Sequence, residues 1–169
     1  MRNLLNSTSC FLIVALLAVL TTGCPVGIAY PLGKPGTEKI DTKLIGIWQA
    51  TIDSAEMIKI EVGKKDDFTY WVEVLETGES YMAESTSFDA WVTKIDGQNF
   101  IYSKPTDPSA EEFFVYQYTV NGKSLAIQDV SLLVGGMDAV TSTDAFRSEV
   151  SASLKLPDCL TSKVEYQKQ

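Results

Sequence analysis

The chain has 169 residues, of which 22 are acidic and 14 basic, giving a formal charge of −8, and 45% are hydrophobic. That length suits one ordinary domain able to bury its own core without metal or disulfide staples, and the acidic balance argues against nucleic acid or anionic lipid as an electrostatic partner, because both need clustered Lys and Arg. Histidine is absent, which removes the Ser-His-Asp and Cys-His arrangements and the commonest general base near neutral pH.

Residues 1–23 have the layout of an export signal, with Arg2 as the only charged side chain before an apolar run from Phe11 to Leu20. Such a run reaches about 15 Å as a helix, roughly half of a bilayer's hydrocarbon thickness, so removal is expected rather than persistence as a spanning anchor. Its end, Thr22-Gly23-Cys24, resembles the lipobox of bacterial lipoproteins, in which small residues precede a cysteine that is diacylglycerol-modified, becomes the new N-terminus and is then N-acylated. The resemblance implies lipid attachment at Cys24 and a membrane held through that lipid. With Pro25 rather than Asp after the cysteine, it further implies the outer membrane of a Gram-negative envelope. Several acyl chains, at about 0.8 kcal/mol per buried methylene, hold a soluble domain firmly. The competing reading is ordinary secretion, with a later cut after Gly27-Ile28-Ala29. Cysteine usage follows the same choice: with Cys24 acylated, Cys159 is an unpaired buried thiol, whereas an unmodified Cys24 could pair with it.

Residues 24–43 are rich in Pro and Gly and show no period of 2 or 3.6, so a flexible tether is expected there, followed by a single domain over residues 44–169. The domain reads as short alternating strands. Residues 44–52 open it. In residues 57–62, Ile58, Ile60 and Val62 alternate with Lys59 and Glu61, and in residues 68–76, Phe68, Tyr70, Val72 and Val74 face away from Trp71, Glu73 and Leu75. Residues 81–95 make one bent strand or two pieces. Asp96-Gly97 and Asn121-Gly122 are two-residue hairpin signals, because a type I′ turn needs positive φ at both positions, and they join residues 98–103 and residues 113–120 to their neighbours. A strand over residues 123–133 follows. Residues 142–154 are the one helical stretch, with Phe146, Val150 and Leu154 recurring on one face, Arg147, Glu149 and Ser151 staying polar, and Ser142, Thr143 or Asp144 as cap. Pro157 stops it, and residues 161–167 alternate again as a closing strand.

The fold class expected is therefore all-β: an antiparallel up-and-down barrel of about eight strands, or a sandwich, with one helix before the last strand. Gly46-Ile47-Trp48 is similar to the Gly-x-Trp signature of the lipocalin or calycin superfamily, in which the Trp packs at the closed end of the barrel. Residues 44–168 more broadly resemble uncharacterised bacterial lipocalin-like lipoproteins, through Leu44-Ile45-Gly46-Ile47-Trp48, through Thr93-Lys94-Ile95-Asp96-Gly97-Gln98-Asn99-Phe100 and through the final helix-Pro-strand unit. The resemblance implies structural roles for Gly46 and Trp48 and no established ligand. No Arg stands in the closing strand to lie over Trp48.

Chemistry is sparse. Asp66-Asp67 and Glu111-Glu112 lie in or beside turns as solvated charge, Glu73 and Glu84 are the strand carboxylates to weigh for paired-acid work, and Gly135-Gly136 bends the chain. No catalytic residue, metal site or cofactor is expected. The remaining lever is aromatic: Trp71, Phe100, Tyr102, Tyr116 and Tyr118 are candidates to line an apolar pocket, with Tyr hydroxyls as polar handles. Two functions follow. One is a lipid-anchored envelope protein whose barrel binds a small apolar or amphipathic ligand. The other is a non-catalytic structural lipoprotein with a filled barrel that offers its acidic surface or an edge strand to an envelope partner.

Overall fold

The computed structural model describes residues 27–51, 57–77 and 87–169; the leader, Cys24 and Glu84 lie outside the described residues. Eight strands form one sheet: β1 Gly46–Thr51, β2 Met57–Lys64, β3 Tyr70–Thr77, β4 Ser87–Ile95, β5 Gln98–Pro105, β6 Phe114–Asn121, β7 Ser124–Val130 and β8 Leu160–Lys168. Each is antiparallel to the next, and β8 returns to pair with β1, so the sheet closes into an up-and-down barrel. The helix α1, Thr143–Ser153, precedes the last strand. The all-β barrel expected from alternation and hairpin chemistry is thus the observed fold. The Asp96-Gly97 turn has the expected positive φ at both positions, +50° and +79°. The second hairpin turns one residue later than expected: Asn121 pairs with Ser124, so Gly122, with φ at +60°, and Lys123 are the loop residues.

Closure rests on few pairs. Trp48 lies opposite Lys168 and Gln49 opposite Gln167, and the Gln169 N–H donates to the Ile47 carbonyl at 3.0 Å. The register fixes which residues point inward. Trp48, Val62, Tyr70, Ala90, Val92, Tyr118, Leu125 and Tyr166 build a core along the barrel axis. A second core lies outside the sheet, where Phe100, Tyr102 and Ile95 pack against Ile28, Leu32, Phe146 and Val150.

That second layer accounts for two differences from the sequence reading. Residues 27–44 do not stand free as a tether. Ile28 pairs with Phe113 at 2.8 and 3.0 Å, and the Ile40 N–H donates to the Asp67 carbonyl at 3.1 Å. Leu32 is wholly buried. The segment straps the apolar outer face of β4 and β5, which would otherwise meet water. The strand expected over residues 123–133 stops at Val130. Beyond it the N–H of Ser131 goes to the Cys159 carbonyl at 2.7 Å, that of Leu133 to the Ser153 hydroxyl at 2.8 Å and that of Val134 to the Glu149 carboxylate at 3.0 Å. The helix matches its signals: the Ser142 hydroxyl accepts from the Ala145 N–H at 3.1 Å as the cap.

Candidate functional site

One end of the barrel is sealed. The turns between β2 and β3, β4 and β5, and β6 and β7 gather there, with the 3-10 turn Thr42–Leu44 laid across it. The Trp48 indole N–H donates to the Leu44 carbonyl at 2.7 Å. Above its ring, 4.9 Å from the centroid, stands Lys168 Nζ, which also donates to the Lys43 carbonyl at 3.3 Å. The cation that the closing strand lacked as Arg is supplied by lysine. Gly46 makes room for it: φ there is +138°, and a Cβ would come within 2.6 Å of Lys168 Cε. The Tyr70 hydroxyl donates to the Asp41 carbonyl at 3.1 Å and accepts from the Asp41 N–H. Burial raises the pKa of Tyr70 and Tyr118, so both hydroxyls stay neutral throughout the physiological range.

The opposite end differs. Inward positions near it, Ile58, Val74, Phe88, Phe114 and Tyr116, are half-buried although they face the barrel axis. Small residues share this inward face: Ala50, opposite Ile58, and Ala90 are buried, and Ser103, between Ala90 and Phe114 in the register, is half-buried, alongside the larger Ile60, Val72, Val92, Ile101 and Ile127. Trp48, Tyr70 and Tyr118, all buried, form the floor of the interior at the sealed end. Phe88 and Phe114 meet edge to face at the rim, centroids 6.2 Å apart and planes at 88°.

The five aromatic residues singled out from the sequence do not share one pocket. Tyr116 and Tyr118 point inward, Tyr118 on the floor and Tyr116 near the mouth. Phe100 and Tyr102 belong to the outer core, where Trp91 stacks on Tyr102 with centroids 5.7 Å apart and planes at 28°. Trp71 lies on the outer wall over Gly63, where a Cβ would strike the indole at 2.0 Å. Gly46 and Trp48 stand at the closed end. Phe88, Phe114, Ala50, Ala90 and Ser103 were missed as lining. Their signal was membership of the same alternating face as Tyr118, which becomes readable only once the register is known.

Two polar arrangements on the outer layer also escaped the sequence reading. Glu149, read there as staying polar, is buried; it accepts from the N–H groups of Val134, Gly135 and Gly136 at 3.0, 2.9 and 3.3 Å and from the Ser153 hydroxyl at 3.2 Å. Burial pushes its pKa up, but the hydrogen bonds from Gly135, Val134, Ser153 and Gly136 outweigh that and hold the carboxyl below the ordinary glutamate range. Gly135-Gly136 therefore does more than bend the chain, since a Cβ at Gly135 would lie 2.6 Å from Ala139 Cβ and 3.2 Å from Glu149 Oε2. Arg147 clamps the strap. Its Nη1 donates to the Leu32 carbonyl at 3.1 Å and the Thr93 hydroxyl at 2.9 Å, its Nη2 to the Lys94 carbonyl at 2.8 Å, and Thr93 in turn donates to Glu38. These groups hold the strap, the helix and the loop after β7 together.

Of the carboxylates, Glu73 is exposed on the outer wall, and Asp66 accepts from the Phe68 N–H at 2.7 Å within its turn. Among the described residues no group of three or more His, Cys, Asp or Glu could hold a metal ion. Cys159 is buried, and its thiol donates to the Ser131 carbonyl at 3.4 Å. Fold and site together define a class: an eight-stranded antiparallel barrel, plugged at one end, consistent with a lipocalin-like fold. The chain matches no family model, no curated protein and no solved structure, so the site is read from its own geometry.

Proposed function

We propose that the chain is a lipid-anchored protein of the bacterial envelope, attached through Cys24 and destined for the outer membrane, whose lipocalin-like barrel holds one small apolar or amphipathic molecule without transforming it. The observation that carries the binding reading is the partial exposure of inward-facing Ile58, Val74, Phe88 and Phe114 at the end opposite Trp48, with the small residues Ala50, Ala90 and Ser103 on the same face. A filled barrel would bury those side chains against one another. Kinship with lipocalin-like lipoproteins draws support from Gly46, Trp48 and the lysine laid over the indole.

The test is titration with N-phenylnaphthylamine, a neutral apolar fluorophore. A saturable rise at about one probe per chain is expected, lost in Ser103→Trp while the melting temperature is kept. No rise in the unaltered protein would leave the alternative, a structural lipoprotein that docks a partner. That partner would have to meet the acidic surface, because closure leaves no barrel strand as a free edge. The anchor is checked separately by intact mass of envelope-purified protein: a form beginning beyond Cys24 without acyl mass removes that part of the reading.

A further inference from the structure

We propose that the mouth of the barrel selects an amphiphile with a cationic ammonium head, its alkyl tail in the barrel and its head held by Asp129, Tyr116, Phe88 and Phe114. The proposal rests on the pocket reading and adds the chemistry of the head group. Asp129 is the direct register partner of Tyr116 across β6 and β7, on the same inward face as Ile127 and Tyr118 in the next pair of the ladder. Side chains so opposed have Cβ atoms roughly 5 Å apart. Phe114 shares that face two residues before Tyr116 and meets Phe88 edge to face at 6.2 Å. One arc of the mouth, from β4 to β7, thus presents three aromatic rings and one carboxylate.

Asp129 is exposed and forms no ion pair among the described residues; the pairs present are Lys64 with Asp67, Lys65 with Asp89 and Lys163 with Glu165. On the adjacent strand β8, Lys163 is already paired with Glu165. Lys59 and Lys104 occupy outward register positions, opposite Gln49 and Asp89, and Lys104 lies over the outer ring of Phe113. A weakly hydrated ammonium is attracted to ring faces by their quadrupole and to the carboxylate by charge, while the formal charge of −8 repels anionic heads from the whole surface. Carboxylate or sulfate heads would lie beside Asp129 with no described cation inside the mouth to receive them.

The experiment compares octyltrimethylammonium, octyl glucoside and octyl sulfate, which share one tail, by calorimetric titration into the full chain below micellar concentrations. Octyltrimethylammonium should bind about tenfold more tightly than octyl glucoside, and octyl sulfate most weakly. Asp129→Asn should bring the ammonium probe down to the level of the glucoside, whereas Asp138→Asn, at an exposed turn outside the barrel, should keep the preference. Equal binding of ammonium and glucoside, or a preference that survives Asp129→Asn, overturns the head-group assignment and leaves the pocket reading intact. Binding of none of the three overturns both.

Discussion

Gly46 sets the geometry of the sealed end, and its role is steric as well as conformational. With φ at +138° and Lys168 Cε at 2.6 Å from any added Cβ, an alanine there is strained twice. Gly46→Ala is expected to cost more than about 1 kcal/mol in urea unfolding. Lys168→Met, which keeps the apolar stem and removes the cation from the Trp48 face, should cost about 0.5–1 kcal/mol. In the double variant the costs should fall short of their sum, because both act on one contact. The Gly and the Trp were legible as a local motif. The lysine was not, since nothing in its spacing says that a side chain more than a hundred residues away arrives over the same ring.

Helix α1 is held by two charged side chains that point opposite ways, Arg147 to the strap and Glu149 to the loop after β7. Sequence periodicity identified Phe146 and Val150 as the buried face, but it left Arg147 and Glu149 to solvent, because amphipathic spacing describes a helix with one neighbour and this helix has three. Glu149→Gln should destabilise the fold by about 1–3 kcal/mol, because the amide places donors against the N–H groups of residues 134–136. The native pKa of Glu149 lies below its unfolded value, so this contribution is complete above the ordinary glutamate range and lost as pH falls through the lowered native value. The stability gap between the parent and Glu149→Gln should accordingly narrow on acidification; a gap that widens would contradict the latch. Arg147→Met should speed proteolysis within residues 34–39, which are exposed, while leaving the barrel folded by circular dichroism.

At the scale of the molecule, the sheet is apolar on both faces along β4 and β5, with one side filling the barrel and the other covered by the strap and α1. This is why strand alternation and hairpin turns disclosed the barrel but not which aromatic rings enter it: Phe100 and Tyr102 look identical in sequence to Tyr116 and Tyr118, and only the register separates them. It also extends the packed domain back from residue 44 to include Ile28 and Leu32. A chain beginning at residue 44 should lose at least about 3 kcal/mol, since Ile28 and Leu32 each contribute roughly 1.5–3 kcal/mol by burial; equal stability in urea would show the strap to be dispensable. The pairing of β1 with β8 has a temporal meaning too. Because Trp48 and Gln49 find their partners at Lys168 and Gln167, the ring stays open until almost all of the described chain has left the ribosome. Contacts of such sequence separation form slowly, so closure of the barrel falls late in folding, after the individual hairpins.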